Sequence, residues 1–304
     1  MEIKQLFNNV EFYAPTHTYK HKSSGKVFTS VTQLISRYKN PFDPTGAIAK
    51  AVANKEGLTV EQVQAEWKRK SKEAIDLGNS IHTKYESHIK TKSESGDWIP
   101  QFEAALAKIG CSLEEDNIKY YPEILIYDED NEIAGTVDLL IELPNGEHYL
   151  VDYKTNKALK HPSDEADYVK PMKSPFEELL DCNYNHYLLQ LNGYRYMLQK
   201  KGINVAAMFI FHLNRDIKDI DIHPIPVSSL GESLITSETL NLFTGSNTSA
   251  APIVLPTTKE KKKDSVEILD NLIEIALKAG EVNRYEATLI KKYVRFLKTE
   301  RNGN

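Results

Sequence analysis

Two stretches rich in β-branched, aliphatic and aromatic residues lie on either side of Pro144-Asn145-Gly146. They cover residues 133–143 and 147–156. Such residues favour extended strands, and a Pro-Asn-Gly break is turn chemistry that closes antiparallel pairs. The pattern therefore predicts a β-hairpin in the middle of the chain, and the remaining elements are placed around it.

Alternation along this hairpin predicts where its charged side chains point. Because successive side chains of a strand point to opposite faces, Asp152 and Lys154 share one face. With a three-residue loop over 144–146, Leu143 pairs with Glu147, and Asp138 then lies opposite Asp152. Two carboxylates meet on one face in that register, whereas a two-residue loop would separate them.

Hydrophobic periodicity and capping residues predict helices and strands on both sides of the hairpin. Thr59-Val-Glu-Gln62 has the form of a capping box and begins a helical stretch that continues, with or without breaks, to about Lys90. The other predicted elements are a small hairpin from residues 18–21 and 26–32, a short helix that begins at Ser30 and is stopped by Pro41 and Pro44, a helix over 101–109, a strand over 120–127, a helix over 183–200 and a buried strand over 206–213.

The C-terminal part of the chain differs from the core in composition. After Pro224 the composition predicts a Ser/Thr-rich linker, irregular over 240–256, followed by two amphipathic helices over 265–279 and 284–300. The predicted organisation is an N-terminal lobe over 1–63, a core over 64–238, and a linker with a C-terminal helical segment over 239–304. The core order of helix, three strands, helix and strand lacks a βαβ rhythm, and the chain has no glycine-rich phosphate loop, which argues against a dinucleotide-binding fold.

Composition narrows the possible classes of protein. The 304 residues are 40% hydrophobic and 27% charged, which is typical of a soluble globular protein, and no apolar run approaches the roughly 20 residues that span a bilayer. The N-terminus resembles neither a secretory signal nor a transit peptide, so an intracellular location is expected. Cys111 and Cys182 are the only cysteines, which excludes a disulfide framework and a four-cysteine metal site. With a net charge of -5, nucleic-acid binding would depend on local basic patches or a bound metal.

The opposed aspartates require a compensating charge. Like charges directly opposite each other destabilise a sheet, so Asp138 and Asp152 call for a cation or a raised pKa. A hard divalent ion such as Mg²⁺ supplies that charge, since it favours carboxylates, waters and phosphate oxygens. Lys154 would then lie beside the metal and orient or activate a water. The alternative is a solvated hairpin face with scattered charges.

Further candidates come from neighbouring elements. Gly78, His82 and Glu86 recur every four residues and lie on one helical face, although a His-Glu pair one turn apart is also an ordinary surface feature. If Tyr127 pairs with Glu132, Glu123 lies opposite Thr136 and shares the face of Asp138; the alternative is an exposed strand glutamate. Gln190 and Tyr194 lie one helical turn apart. The lysine-bearing loop over 157–175 is either a substrate-facing flap or a solvated loop.

Together these residues resemble the PD-(D/E)XK nuclease superfamily, and within it the RecB-like exonucleases and helicase-associated nuclease domains. The resemblance covers about residues 65–213 and implies a restriction-endonuclease-like αβββαβ core of the α/β (α+β) class, in which helices flank a central mixed sheet, with an N-terminal lobe and a C-terminal helical hairpin added. The matching residues, on helix, strand, strand, strand and helix, are Gly78-x-x-x-His82-x-x-x-Glu86, Glu123, Gly135-x-x-Asp138, Asp152-Tyr-Lys154-Thr155 and Gln190-x-x-x-Tyr194.

The resemblance also implies roles for these residues. His82, Asp138, Asp152 and the main-chain carbonyl of Tyr153 would bind Mg²⁺ or Mn²⁺. Lys154 would position the nucleophilic water and stabilise charge, while Gln190 and Tyr194 would hold the scissile phosphate or orient Lys154. The remaining expected site residues are Glu123 in catalysis and Thr155, Glu86, Lys157 and Gly78 in substrate binding.

The implied function is a metal-dependent DNA exonuclease that acts on ends, favours single-stranded termini and serves recombination, repair or replication. Its expected partners are DNA with a single-stranded end and a recombination or single-strand-binding protein, without a membrane, in the cytoplasm of a bacterial or phage-infected cell. His17-x-Tyr19 and Ser30-Val-Thr are similar to free-standing phage-borne members. The chain lacks the iron-sulfur cysteines and helicase motifs of some relatives. The alternatives are a structure-specific or site-specific endonuclease, or a noncatalytic nucleic-acid-binding module.

Overall fold

A computed structural model of the chain describes residues 3–41, 44, 46–162 and 170–243, with side chains described as far as residue 236. An eight-stranded mixed sheet forms the centre, and helices pack on both of its faces. The described residues form one compact unit. In the described part of the chain, no helix is both long enough and apolar enough to cross a membrane.

The regular elements follow each other in a mixed order. The helices are α1 (Val31–Tyr38), α2 (Ala47–Glu56), α3 (Val60–Thr91), α4 (Ile99–Lys108), α5 (Asn183–Lys200) and α6 (Leu230–Phe243). The strands are β1 (Val10–Tyr13), β2 (Thr18–His21), β3 (Val27–Ser30), β4 (Lys119–Asp128), β5 (Ile133–Glu142), β6 (His148–Lys154), β7 (Val205–Asn214) and β8 (Asp219–Pro224). The sequence did not predict the edge strands β1 and β8.

The predicted starts of α1 and α3 are confirmed, and a side chain caps each of them. At α1, the Ser30 side chain accepts a hydrogen bond from Gln33 N at 3.1 Å. At α3, Thr59 accepts one from Gln62 N at 3.2 Å, and the Gln62 side chain accepts one from Thr59 N at 2.8 Å. These bonds satisfy backbone donors that lack partners within the helix. Helix α3 then continues for 32 residues without a break.

The central hairpin has the predicted register. Leu143 N donates to Glu147 O at 2.8 Å across the three-residue loop, and Leu139 pairs with Val151. Asp138 and Asp152 occupy the next opposed positions along the two strands. Of the two loop lengths considered, the three-residue loop is therefore the one present, and its register places the two carboxylates opposite each other.

Strands β5 and β6 separate immediately beyond this point. Strand β6 continues in parallel pairing with β7 as far as Lys154, whereas the start of β5 pairs in parallel with β3. The segment 135–138 of β5 lies between these two pairings. Where the strands part, Tyr153 N donates to Asp138 Oδ2 at 2.7 Å, so a side chain continues the hydrogen bonding of the ladder.

The predicted register between β4 and β5 is wrong by two residues. Tyr127 pairs with Ala134 rather than with Glu132. The connecting turn has the predicted length of four residues but covers 129–132 instead of 128–131. The Asp128 carboxylate holds it by accepting hydrogen bonds from Asp130 N at 3.1 Å and Lys200 Nζ at 2.7 Å. An offset of two preserves the face of every side chain.

This register moves Glu123 from its predicted position opposite Thr136 to the position opposite Asp138, between the pairs that flank it. Its backbone is left-handed, with a φ of 50°, a conformation that non-glycine residues adopt rarely. The strand is therefore locally distorted where Glu123 faces Asp138.

The linker predicted after Pro224 is also wrong, because α6 occupies much of it and extends into the segment expected to be irregular. A Cβ on Gly231 would lie 2.0 Å from Asn192 O, so glycine lets α6 approach α5 closely. Leu234 and Ile235 are fully buried in this contact. Residues 244–256 and the two predicted C-terminal helices lie outside the described residues. The proposed domain boundaries stay predictions.

The sheet separates two apolar clusters. Helices α1, α5 and α6 contribute to the cluster on one side, and α3 and α4 contribute to the other. On β6, Leu150 belongs to the first cluster, while Val151 and Tyr153 belong to the second. Strand alternation therefore directs Asp152 toward α5, whereas the Tyr153 ring packs under α3 and α4.

Candidate active site

A histidine and two carboxylates meet where β5 and β6 separate. His82 on α3 places its Nδ1 3.2 Å from Glu123 Oε1 on β4 and 3.5 Å from Asp138 Oδ1 on β5. One potential ligand atom from each residue lies within 4.8 Å of the others. The two carboxylates supply the oxygen donors that Mg²⁺ and Mn²⁺ prefer, and the imidazole nitrogen adds a donor that is more typical of transition ions.

Burial makes the charge balance of this group unfavourable without a cation. Asp138 is only 7% exposed, and burial together with the nearby charge of Asp152 raises its pKa to about 7. Burial disfavours the charged form of His82, but Asp138 and Glu123 outweigh it and raise the pKa of His82 to about 9. In the metal-free protein, the His82 proton therefore supplies the positive charge that the carboxylates require.

The donor set fits a divalent cation on these grounds. Burial and, after it, the charge of Asp152 disfavour the ionised form of Asp138, and the charges of His82 and Lys154 offset this only in part. A cation beside Asp138 and Glu123 would balance it and would displace the proton from His82, since a ligating imidazole nitrogen carries no proton.

Lys154 lies beside Asp152 on β6. Its ammonium pairs with Asp152 Oδ2 and lies 4.6 Å from the centre of the Tyr187 ring. Burial disfavours its charge, but Asp152 and Asp138 keep its pKa above the ordinary value. Lys154 is therefore a charged donor at neutral pH and cannot serve as a base.

Helix α5 holds the Asp152–Lys154 pair in place through Gln190. Gln190 Nε2 donates to Asp152 Oδ1 at 3.1 Å and to the Tyr194 hydroxyl at 3.2 Å. With one oxygen held by Gln190 and the other by Lys154, Asp152 is 1% exposed and has a fixed orientation. The structure thus brings the predicted Asp152, Lys154 and Gln190 into one connected group.

Tyr194 is too deeply buried to contact a substrate. It is 4% exposed, and burial raises the pKa of its phenol well above the ordinary value. A Cβ on Gly135 would lie 2.5 Å from Tyr194 Cε1, so only glycine lets the ring rest against β5. These contacts suit Tyr194 to holding Gln190 rather than a phosphate.

The expected substrate-binding residues occupy different surroundings. Gly78 faces Thr155, since a Cβ on Gly78 would lie 3.5 Å from Thr155 Oγ1. Glu86 pairs with Lys90 at 2.5 Å and, with Gly78, lines an open cleft of about 500 Å³ that His82 and Glu123 also border. Lys157 is exposed on the segment that follows β6.

The structure adds residues that the sequence did not assign to the site. The Tyr19 hydroxyl of the N-terminal hairpin lies 3.0 Å from Thr136 Oγ1, and burial, with the charges of Glu123 and Asp138, raises its pKa. Tyr187 supports Lys154. The spacing of Tyr187 from Gln190, one helical turn, was a signal for it. Only the tertiary structure could bring Tyr19 to β5.

Comparison with protein-family models and with curated protein sequences finds no match. Among solved structures, the crystal structure of SSO0001 aligns with 75% of this chain and 86% of its own length. The identity is 14% and the TM-score is 0.33. A likeness of this strength carries no argument about fold or function.

Proposed function

We propose that this protein is a Mg²⁺- or Mn²⁺-dependent deoxyribonuclease with a PD-(D/E)XK core that hydrolyses phosphodiester bonds from DNA ends. The observation that carries the proposal is the convergence of His82, Glu123 and Asp138 beside the Lys154 ammonium. The element order of helix, β4, β5, β6, α5 and β7 agrees with an αβββαβ core and supports the same assignment.

The site residues have two kinds of role, holding the cation and orienting Lys154. His82, Glu123 and Asp138 would hold the cation, and Asp152 would add negative charge beside it while orienting Lys154. When bound, a divalent ion lowers the pKa of water and offsets the charge of phosphate. The chain itself contributes a fixed constellation whose hydrogen bonds are made before substrate arrives.

Lys154 and Glu123 have complementary roles in the hydrolysis. The Lys154 ammonium, held by Asp152 and the Tyr187 ring, donates a hydrogen bond to a phosphate oxygen or to the attacking water and stabilises developing charge. Glu123 has 28% of its side chain exposed and borders the open cleft, so the carboxylate oxygen that does not hold the cation is suited to accept the proton of the attacking water. The water oxygen forms the new bond to phosphorus, and the departing oxygen takes a proton from solvent.

The surroundings favour a single strand that enters by its end. The N-terminal hairpin joins the sheet beside the site through β3, and α3 borders the cleft on another side. The segment after β6 presents the exposed Lys157 and Lys160, and basic side chains beside a groove track a flexible backbone. A closed circle offers no end to such a site.

Circular and linear single-stranded DNA of the same sequence test this proposal. The linear form carries an end label, and each is incubated with Mg²⁺, Mn²⁺ or EDTA. We expect the wild type to degrade linear DNA only with metal and to spare the circle, while Asp138→Asn is inactive. Equal loss of circle and linear DNA would establish an endonuclease instead. Metal-independent binding without cleavage would identify a noncatalytic binding module.

A further inference from the structure

A second group of metal-ligand side chains lies on the pair of strands β7 and β8, apart from the site above. His212 pairs directly with Asp221 across the two strands, and His223 lies two residues further along β8 on the same face. One potential ligand atom from each lies within 4.8 Å of the others. The proposed nuclease chemistry uses none of the three.

His212 is oriented as metal-binding histidines are. It is 4% exposed, and its Nε2 donates to the main-chain carbonyl of Asn156 at 2.7 Å. A carbonyl only accepts, so this bond places the proton on Nε2 and leaves the lone pair on Nδ1. Metal ligands of this type usually donate their other ring nitrogen to a carbonyl or carboxylate in the same way.

The other two residues also show features of a ligand set. His223 Nε2 is buried and has no hydrogen-bond partner among the described residues, an arrangement that costs free energy unless something binds there. Asp221 Oδ2 accepts a hydrogen bond from Asn214 at 2.9 Å, which fixes the carboxylate beside the two rings. An ion between these groups would satisfy the unpartnered nitrogen.

We propose that His212, Asp221 and His223 form a second metal site, for a transition ion of the zinc class. Two imidazoles and one carboxylate suit Zn²⁺ better than Mg²⁺, which prefers oxygen ligands. A further imidazole, that of His161, lies nearby, with its ring centre 5.5 Å from that of His223.

This site would stabilise the segment that leaves the active site. The carbonyl of Asn156 binds His212, and its side chain accepts a hydrogen bond from the Tyr187 hydroxyl at 3.3 Å. Tyr187 in turn supports Lys154. A metal that immobilises His212 therefore acts on the position of Lys154 through two intervening residues.

Zinc binding by the full chain tests the proposal without any use of activity. After dialysis against Zn²⁺, bound metal is counted by elemental analysis, and the melting temperature is measured with and without Zn²⁺. We expect the wild type to hold one equivalent of zinc more than His223→Gln and Asp221→Asn, and to show a larger Zn²⁺-dependent rise in melting temperature than either variant. Co²⁺ in place of Zn²⁺ should give a visible absorption band that the same variants lack.

Two controls separate this site from other sources of binding. His148→Gln removes another histidine whose Nε2 is buried without a partner but which belongs to neither group of metal-ligand residues in the described chain. His148→Gln and Asp138→Asn should both keep the zinc equivalent, the second even if the nuclease proposal fails. Equal zinc content in wild type and both site variants, or none in a wild type with a native circular dichroism spectrum, would overturn the proposal. If His223→Gln does not fold, Asp221→Asn decides.

Discussion

Replacement of Asp138 by asparagine should stabilise the metal-free protein while abolishing its response to metal. Asparagine has nearly the same shape and can still accept the hydrogen bond from Tyr153 N. It removes the negative charge that burial and Asp152 make unfavourable. A substitution at a proposed catalytic position is therefore expected to raise the melting temperature in EDTA.

The pKa of Asp138 sets the size of this effect. A pKa of about 7 in the folded protein against 3.8 ordinarily means that stability is lost as pH rises from about 4 through 7. At about 1.4 kcal/mol per pH unit, the penalty at pH 8 is about 4 kcal/mol. The variant also weakens the favourable pairing of protonated His82, so we expect a net gain of roughly 1–3 kcal/mol, equivalent to roughly 3–10 °C for a domain of this size.

Thermal unfolding at pH 8 in EDTA and in Mg²⁺ measures both effects. Mg²⁺ should stabilise the wild type and leave Asp138→Asn unchanged. Asp181→Asn is a matched control, because Asn40 and His186 outweigh burial there and lower the pKa of Asp181, so its loss should destabilise the protein. A well-folded Asp138→Asn protein that melts below the wild type in EDTA would refute the electrostatic account of the site.

Three further predictions concern other parts of the site. Because His82 has a pKa of about 9 against 6.5 ordinarily, its stabilising contribution in EDTA is complete below about pH 6.5 and is lost as pH rises through 9. Calorimetry in buffers of different ionisation enthalpy should show that the protein releases a proton when Mg²⁺ binds at pH 7. If no proton is released, His82 is not a ligand. Lys154→Ala should lower turnover by about 10²-fold or more with little change in metal affinity by calorimetry, whereas equal losses of both would mean that it only shapes the site. Gly135→Ala should lower the free energy of unfolding in urea by about 1–3 kcal/mol, because its Cβ displaces the Tyr194 ring. Gly193→Ala is the control: its Cβ meets neighbours at 3.5 Å, so it should be neutral or stabilising. Equal effects of the two substitutions would contradict the packing argument.

Local chemistry was enough to predict several parts of the fold. The capping residues Ser30 and Thr59 form hydrogen bonds with residues three positions away, so neighbours in the sequence set the starts of α1 and α3. The three-residue loop after Leu143 likewise determined the hairpin register. The opposition of Asp138 and Asp152 followed from that loop because strand geometry propagates it.

Long-range contacts decided what the sequence mispredicted. The register of β4 depends on the turn that follows Asp128. The Asp128 carboxylate accepts a hydrogen bond from Lys200, which is far away in the sequence on α5. Helix α6 depends on the contact of Gly231 with Asn192, which no Ser/Thr-rich composition indicates.

The candidate site also depends partly on local sequence and partly on long-range contacts. The helical spacing around His82 indicated a possible ligand, but its contact with Glu123 joins residues 41 positions apart and required both α3 and β4 to be packed on the sheet. Tyr19 lies still further from its partner Thr136, at a separation of 117 positions. The sequence determines elements and faces because those depend on neighbours along the chain, whereas the packing of the sheet decides which faces meet.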